Sequence, residues 1–524
     1  MFSTALIISV IFLLILLNSI RQIHLAKPIE LLRGGEVGEL EPKANWLLAV
    51  LGSLFLGAGY YISIAVTDAV TSILLFFVAV ICVILGTYLL FTAGSVTLLK
   101  LLRKDKRFYY GKPAHFINVS GMIYRMKQNA ASLSLICIMS TGVLLLISST
   151  TSLYVGQEHS LYLRYPKEFK LSLSLGEVPD DSKTFEKELK EIGTYAEDYL
   201  KDNKIATQNA AGQTVIEAAA LQKDGNVQIT SSRNGSSEDF SDLCMVQAIT
   251  LEDYNREAKK DETLEDREAL VFFEDSPIQQ ETFSINDMHW KVRQLSADST
   301  MEDSGLKFYV TPVYRIVVKD FAQLQEIWKI NKEAYGDHAS QVKYEYSFDV
   351  DLSEEKIQKL EKSLNAYLGE QKNAPHAFFY GIETRTEGRA EFYSLYGGLF
   401  FLGIFLGLLF VMATVLIIYY KQISEGYEDK ERFAILKKIG MERGEINASI
   451  RSQVLMVFFL PLAAAGIHSC FAFHLVKEIL VGGFGLQDVG LLVICAVLTF
   501  LAFAVFYVIV YLITAREYYK IVSE

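Results

Sequence analysis

The sequence predicts a polytopic α-helical membrane protein with about seven transmembrane helices and one large α+β extracellular domain. Three observations lead to this prediction. Of the 524 residues, 51% are hydrophobic and 21% are charged, and the mean hydropathy of +0.24 is high for a soluble chain. Seven apolar runs are each long enough to cross a bilayer, which takes about 18 to 20 residues of helix. A single long polar block separates the fourth run from the fifth.

The apolar runs and the polar block divide the chain cleanly. The block covers 155–391 and contains 45 acidic and 28 basic residues, a net charge of −17, whereas the rest of the chain has a net charge of +6. The apolar and aromatic content of the whole chain excludes intrinsic disorder, and five cysteines in 524 residues exclude a disulfide-rich secreted scaffold. The seven runs lie at about 2–19, 46–66, 72–98, 130–153, 393–420, 452–475 and 488–513.

The distribution of Lys and Arg predicts the orientation. The connections 20–45, 99–128 and 421–451 are basic, and short basic loops stay in the cytoplasm. The acidic block 155–391 then lies outside the cell, and so does the first residue. No basic segment precedes the first run and no small-residue cleavage site follows it, so a signal peptide is not expected. An N-terminus outside the cell is one interpretation, and the favoured one is a chain that lacks upstream helices through truncation or a mis-called start.

The block 155–391 has the pattern of a folded α+β domain. Strands are predicted at 169–175, 227–230, 307–318 and 343–350, and helices at about 183–200, 320–333 and 353–369. Cys244 is its one cysteine, so it contains no internal disulfide. A disulfide-free outside domain favours a bacterium with a single membrane, that is, a Gram-positive cell membrane.

No catalytic, metal-binding or cofactor-binding motif is present. The chain has no G-x-x-x-x-G-K-[ST] sequence to hold nucleotide phosphates, no H-E-x-x-H and no paired C-x-x-C. We therefore expect no enzyme activity, no bound cofactor and no nucleic-acid partner.

The loop 421–451 contains an amphipathic helix. Phe433, Leu436 and Ile439 recur at helical spacing among basic residues, and Gly440 favours a helix stop. Such a helix either lies on the lipid surface or binds a groove on a cytoplasmic partner. The segment 112–130, which also precedes a span, has a similar pattern.

Two further patterns are candidates for function. Gly403 and Gly407 form a G-x-x-x-G sequence in the fifth run, which either allows close helix packing or arises by chance. The densest acidic stretch contains Asp261, Glu262, Glu265 and Asp266. It is either an ordinary solvated surface or an electrostatic lure for a cationic antimicrobial peptide.

These segments resemble the FtsX-like ABC permeases, and specifically the BceB type that confers resistance to bacitracin-like antimicrobial peptides. The signature-like residues after Tyr420 are Glu425, Gly426, Glu428, Arg432, Ile435, Leu436, Gly440, Glu445 and Ile446. The segment 28–33 resembles the end of a first FtsX-like module. The segment 124–130, which begins with Tyr124 and Arg125, resembles the approach to the large outside domain of the BceB type.

The resemblance implies a division of the chain and a set of partners. It implies that 1–45 is the last span and exit of a first module, 46–128 two spans with a basic loop and a coupling-type helix, and 129–154 the span entering the extracellular domain 155–391. The C-terminal module is then 392–524, with a coupling helix at 424–446. Three upstream spans of the ten-span family layout are expected to be absent.

The implied mechanism is transmission of motion. A separate ATPase dimer would bind ATP and contact the coupling residues, and its motion would reach the extracellular domain and release peptides from lipid-linked cell-wall precursors. A membrane histidine kinase is a further implied partner. The implied ATPase-coupling residues are Glu425, Gly426, Glu428, Arg432, Phe433, Leu436, Gly440, Tyr124 and Arg125.

Two other functions remain open from the sequence. One is an FtsX-like regulator of cell-wall hydrolases or a permease that extracts lipoproteins or lipids, although such chains typically have four spans. The other is a membrane receptor or scaffold without transport.

Overall fold

The structure is a computed structural model that combines a bundle of long helices with a sheet domain inserted between two of them. It describes residues 2–25, 44–110, 113–223, 226–231, 242–273, 276–278, 280–293, 311–371, 377–438 and 443–523. The sheet domain therefore begins and ends on bundle helices, so the two parts are joined by two chain connections.

Among the described residues, six helices precede the sheet domain. The helices α2 and α3 form a close hairpin, because a Cβ on Gly86 would lie 2.7 Å from the backbone nitrogen of Leu56. Asp68 caps α3 by accepting a hydrogen bond of 2.8 Å from the amide of Thr71. The bounds are α1 Phe2–Leu25, α2 Trp46–Ala65, α3 Ala69–Leu89 with a π-helical turn Leu90–Gly94, α4 Ser95–Lys104, α5 Lys106–Tyr109 and α6 Pro113–Arg164.

The sheet domain contributes four helices and eleven strands to the described residues. The helices are α7 Ser182–Asp202, α8 Leu251–Ala258, α9 Phe321–Tyr335 and α10 Glu354–Gln371. The strands are β1 Phe169–Leu175, β2 Thr207–Lys223, β3 Asn226–Gln228, β4 Leu243–Thr250, β5 Glu268–Phe273, β6 Ser276–Pro277, β7 Thr282–Ile285, β8 Met288–Val292, β9 Val313–Val318, β10 Lys343–Val350 and β11 Phe378–Thr384.

The long strand β2 links two parts of one mixed sheet. Its first half pairs with β10, which continues antiparallel through β1 to the edge strand β11. Its second half pairs with β4 on one side and β3 on the other. From β4 the pairing continues through β9, β5, β8 and β7 back to β3, so these strands and β2 form a closed ring.

Apolar side chains hold the sheet domain together. Alternate residues of β1 and β10, including Phe169 and Phe348, are fully buried, and their rings stack 4.9 Å apart. The helix α7 buries Phe185, Leu189 and Ile192 in the same core. Burial of each large side chain stabilises the fold by about 1.5–3 kcal/mol.

Three long helices follow the domain. They are α11 Arg385–Lys438, α12 Arg443–Glu478 with a π-helical turn Ile479–Gly483, and α13 Val489–Ser523. The central helix α6 contacts all three, and a shared apolar core includes Met126, Leu133, Ile418 and Tyr507. A polar contact ties α12 to the hairpin, because the His468 ring lies 2.6 Å from the Tyr60 hydroxyl and 3.0 Å from the Thr87 hydroxyl.

Six described helical stretches are long and apolar enough to cross a membrane, which confirms a polytopic membrane protein with a sheet-containing domain. The predicted span 2–19 falls on α1, which is not among these six, so the count of seven spans stays a prediction. The six stretches are Trp46–Ala65, Ala69–Lys104, Val119–Arg164, Arg385–Lys430, Val454–Gly483 and Val489–Val522.

The structure differs from the predicted elements where coupling helices were expected. The coupling-type helix of 112–130 is the first part of α6 and is not separated from the span 130–153. Likewise, the first part of 424–446 continues α11 without a break. The reason is local: Gly426 is the one helix-weakening residue between Tyr420 and Lys438, and a single glycine costs a helix only about 1 kcal/mol.

Candidate functional site

A buried ion pair joins three helices at the end of the bundle farthest from the sheet domain. Arg125 of α6 donates a hydrogen bond from Nη2 to the Asp429 carboxylate of α11, and both side chains are almost fully buried. Tyr518 of α13 completes the contact. Its hydroxyl accepts from Arg125 Nη2 at 3.1 Å and donates to Asp429 Oδ2 at 2.5 Å.

A second polar contact lies one helical turn closer to the sheet domain. Asn129 of α6 donates from Nδ2 to the carboxylate of Glu425, and Lys421 Nζ lies 3.8 Å from Glu425 Oε1. Together with Arg125, Asp429, Tyr518 and the buried Gln422, these residues form what we call the coupling cluster. Its two cations and two carboxylates balance, as burial of charge in a helical bundle requires.

The coupling cluster contains more buried donors than the described residues satisfy. Arg125 Nη1, Lys421 Nζ and Gln422 Nε2 make no hydrogen bond within the part of the chain that the structure describes. A partly satisfied polar network specifies helix packing less strictly than an apolar core or a fully bonded network does. The cluster is therefore a place where α6 and α11 can exchange polar contacts.

The nine residues that resemble an ATPase-coupling signature are distributed unevenly around this cluster. Arg125 and Glu425 belong to it. Gly426 lies beside it, since a Cβ there would sit 3.4 Å from side-chain atoms of Tyr518 and Ile521. Tyr124 is half-buried next to Arg125, whereas Glu428 is exposed.

The other four coupling candidates are only partly covered by the structure. Arg432, Phe433 and Leu436 lie on the last turns of α11, but their side chains fall outside the described part. Gly440 lies outside the described residues altogether.

The helices α6 and α11 pack antiparallel along nearly their whole length. Beyond the coupling cluster, Gly142 of α6 faces Phe410, with 3.4 Å from a Cβ on the glycine to the ring. Further along, Tyr154 stacks on Phe400 with ring centroids 4.8 Å apart. The contact thus continues from the cluster to the sheet domain without an intervening helix.

The two candidate glycines lie within this contact. A Cβ on Gly403 would lie 2.2 Å from the Thr150 hydroxyl, and one on Gly407 would lie 2.9 Å from Ile147. Any side chain at Gly403 would therefore force the helices apart. The geometry is that of small residues allowing two helix backbones to approach closely.

A second polar group, the neck, joins α6 and α11 to the sheet domain. Arg385 donates to the carbonyl oxygen of Tyr165 at 2.7 Å, and its guanidinium lies 4.7 Å from the Tyr162 ring centroid. Glu158 of α6 accepts a hydrogen bond of 2.8 Å from Tyr393. Gly388 permits the close approach, because a Cβ there would lie 2.3 Å from the Tyr165 ring.

Arg389 extends the neck to the sheet domain itself. Its guanidinium lies 3.5 Å from Glu158 on α6 and 3.5 Å from Glu354 at the start of α10. Although these groups are partly exposed, they form a network, which holds better than isolated surface pairs do. The neck therefore joins both long helices to the base of the domain.

The four acidic candidates for a peptide lure are not equivalent. Asp261 and Glu265 are exposed. Glu262 lies 3.1 Å from Arg293, and Asp266 accepts a hydrogen bond of 3.4 Å from the Gln323 side chain. Of the four, Glu262 is thus partly offset by a cation of the domain.

No group of three or more potential metal ligands occurs among the described residues. Arg125 and Glu425 were candidates from the sequence, whereas their partners Asn129, Asp429, Lys421, Gln422 and Tyr518 were not. The sequence does place several polar residues near the ends of apolar helices, where a buried polar side chain needs a partner, and that pattern could have indicated them. The neck residues Arg385 and Arg389 were also missed, although they precede an apolar run longer than a span requires.

Comparisons with known proteins find one family match and several relatives. Residues 400–522 match the family described as FtsX-like permease C-terminal. The ABC transporter permease protein YxdM of Bacillus subtilis is 25% identical over 468 residues, which is 85% of this chain and 64% of the relative. The uncharacterized ABC transporter permease YvcS of the same organism is 25% identical, over 98% of this chain and 74% of the relative.

A third relative is the bacitracin export permease protein BceB of Bacillus subtilis, which is 24% identical over 81% of this chain and 62% of its own length. The chain thus spans less than two thirds of YxdM and BceB. Residues 400–522 thus form an FtsX-like permease C-terminal module, and over most of its length the chain is similar to Bacillus ABC permeases, BceB among them.

Proposed function

We propose that this chain is the membrane subunit of an ABC transporter that carries motion from a separate ATPase dimer to the sheet domain. The observation that carries the proposal is the unbroken pair α6 and α11, which connects the coupling cluster to the neck. From Arg385 to Lys421 the helix α11 rises about 54 Å, more than the thickness of a bilayer. The pair is long enough to link a cytoplasmic event to an extracellular domain.

The cytoplasmic end of this pair is the proposed input. The ATPase dimer binds the last turns of α11 and the segment 424–446, with Phe433 and Leu436 in a groove of the partner. Closure of the ATPase then pulls on α11 relative to α6. The coupling cluster accommodates that shift, since three of its buried donors make no hydrogen bond among the described residues.

The extracellular end is the proposed output. The close contacts at Gly403, Gly407 and Gly388 keep α6 and α11 from separating, so a shift at one end reaches the other. At the neck, Arg385 and Arg389 pass the movement to β1, β11 and α10. We assign the sheet domain a binding role.

The system's physiological role is proposed to be antimicrobial-peptide resistance. The relative BceB is named a bacitracin export permease, and the acidic sheet domain is suited to attract cationic peptides. The domain would release a peptide from its lipid-linked cell-wall precursor when the helices move. A membrane histidine kinase would be a second partner, through which the permease reports the peptide.

A growth experiment tests this function. A strain lacking the full-length gene should become sensitive to bacitracin-like peptides, and the gene together with its ATPase should restore growth. An ATPase variant that binds but does not hydrolyse ATP should fail to restore it. Full resistance with that inactive ATPase would exclude energy-driven transmission, and unchanged sensitivity on deletion would exclude the resistance role.

A further inference from the structure

The segment from α4 to the start of α6 presents an unusual outer face. Val96 and Thr97 of α4 are buried against the bundle, whereas Leu98, Leu101 and Leu102 are exposed by 59%, 42% and 37%. These three leucines recur at helical spacing and form one apolar stripe on the side away from α6. The stripe continues the surface of α3, which is part of a membrane-crossing stretch that ends at Lys104.

A pair of exposed aromatic rings extends this face. Tyr109 is buried and anchors α5, since its hydroxyl lies 2.7 Å from that of Ser120 on α6. The neighbouring Tyr110 and Phe116 remain exposed by 68% and 45%, and their rings stack with centroids 6.3 Å apart. Exposed aromatic rings beside an apolar helix end are typical of the membrane–water interface.

Cations border the apolar face. Lys104, Lys106 and Arg107 are exposed, and none of them forms an ion pair with a described residue. The segment 95–116 contains six Lys or Arg residues against the single acid Asp105. Such a face fits the surface of an anionic membrane, because the apolar stripe can contact the acyl chains while the cations contact the headgroup phosphates.

We propose that this segment is a binding site for anionic phospholipid headgroups, with Lys104, Lys106 and Arg107 as the headgroup contacts. Leu98, Leu101, Tyr110 and Phe116 insert at the acyl-chain boundary and set the depth of the cations. The occupant is a lipid rather than a protein because the face continues directly from a membrane-crossing helix. The segment leads into α6, so bound lipid holds the base of the helix that carries Arg125 and Asn129.

A local fluorescence measurement tests this site. The reporter protein carries Tyr110→Trp at the aromatic pair and Trp46→Phe to remove the other exposed tryptophan at this end of the bundle. It is placed in nanodiscs of equal parts phosphatidylglycerol and phosphatidylcholine, in which one or the other lipid is brominated. Bromine quenches a tryptophan that it contacts, so the two preparations report which lipid lies beside residue 110.

Quenching should be stronger when phosphatidylglycerol carries the bromine, because each nearby cation favours anionic lipid about fivefold. The variant Lys104→Gln/Lys106→Gln/Arg107→Gln should bring the two quenching values close together, and 1 M salt should do the same by screening. A matched control, Lys183→Gln/Lys187→Gln/Lys204→Gln, removes the same charge from exposed positions of the sheet domain and should keep the preference.

Three results would overturn the proposal. Equal quenching by the two lipids in the reporter would show that the site does not select anionic lipid. No quenching by either would place the segment away from lipid and favour a protein occupant. A preference that survives the triple substitution would exclude the three cations as headgroup contacts. None of these results depends on the ATPase or on peptide resistance.

Discussion

At the scale of single residues, the coupling cluster affects the free energy of unfolding mainly when one of its charged partners is removed. A buried ion pair adds little net stability, because desolvation of the two charges offsets most of their attraction. Removal of one partner leaves a charge without compensation, which is far more costly. The contact between Arg125 and Asp429 therefore fixes the relative placement of α6 and α11 more than it stabilises the fold.

This difference leads to the first prediction, for a double-mutant cycle. Asp429→Leu should destabilise the purified protein by about 3–5 kcal/mol, because Arg125 stays buried without a counter-charge. Adding Arg125→Met should recover most of that loss, since both charges are then gone. Tyr518→Phe removes one hydroxyl and should cost only about 1 kcal/mol. Unfolding in detergent of the unmodified protein, Asp429→Leu, Arg125→Met and the double variant gives the four values of the cycle, and a double variant as unstable as Asp429→Leu alone would contradict the ion pair.

The residues of the cluster show what a sequence can and cannot predict at this scale. Arg125 and Glu425 were found because their surroundings resemble a family signature. Asp429 and Tyr518 were not found, because nothing local indicates that residues 304 and 393 positions from Arg125 in sequence lie beside it. Polar residues in apolar helices predict that partners exist, but only the packing of α6, α11 and α13 identifies them.

At the scale of elements, the antiparallel pair α6 and α11 depends on close backbone approach. Its middle section is lined by small residues and aromatic rings, and its two ends are polar. This arrangement resists separation of the two helices, since the middle section cannot widen without loss of packing.

The second prediction concerns the middle of this pair. Gly403→Leu should abolish peptide resistance and weaken the fold by several kcal/mol, because the new side chain would overlap Thr150. Leu402→Val, at an adjacent exposed position, changes the surface facing lipid and should have little effect. Resistance assays and thermal unfolding of both variants are the measurements. Equal behaviour of the two variants would show that close approach at Gly403 is not needed.

The third prediction concerns the last turns of α11. Leu436→Asp should prevent binding of the ATPase partner, since a charge placed in an apolar groove costs a few kcal/mol. Gly440→Pro should act similarly, because proline cannot adopt the left-handed conformation with which Gly440 is expected from the sequence to end the helix. Copurification of the ATPase is the measurement, and amounts of permease in the membrane should stay unchanged. Full copurification by both variants would contradict a docking role for this segment.

The elements themselves were predictable to different degrees. The bounds predicted for β1 and β10 agree with the structure, because both strands alternate buried apolar residues with polar ones. The ring that β2 closes with β4 and β3 was not predicted, because the local sequence of a strand does not indicate which distant strand it pairs with. The long helices were predicted too short, because charged residues at their ends continue helices that extend beyond the apolar runs.

At the scale of the whole molecule, charge and hydropathy divide the chain in the same way as the structure does. The helical bundle is apolar on its outer surface and basic at one end, and the sheet domain at the other end is acidic. The same asymmetry predicts orientation, with the basic end in the cytoplasm.

The fourth prediction is a labelling test of that orientation. Cysteines introduced at Glu265 and Asp337 should react with an impermeant thiol reagent in intact cells, and cysteines at Lys104 and Lys437 should not. The native Cys244 of the sheet domain should stay silent, because burial raises the pKa of its thiol to about 12 and keeps it protonated. Cys470 is exposed and should be replaced first. Reaction at position 437, or none at 265, would contradict the orientation.

The last prediction concerns the acidic surface of the sheet domain as a whole. Neutralising Asp261, Glu262, Glu265 and Asp266 together should lower resistance to cationic peptides and slow their association by about tenfold at low salt. The effect should fade at high salt, because charges at this distance are screened over about 8 Å at physiological ionic strength.

The structure sharpens this test by separating the four residues into two pairs. Asp261→Asn/Glu265→Gln removes two exposed charges and should account for the larger part of the loss. Glu262→Gln/Asp266→Asn removes the same formal charge, but Arg293 already offsets the charge of Glu262 and Gln323 hydrogen-bonds Asp266, so its effect should be smaller. Association rates measured with a cationic peptide compare the two variants directly. Equal resistance of both variants and the unmodified protein, across several cationic peptides, would make the stretch an ordinary solvated surface and place peptide recognition elsewhere in the domain.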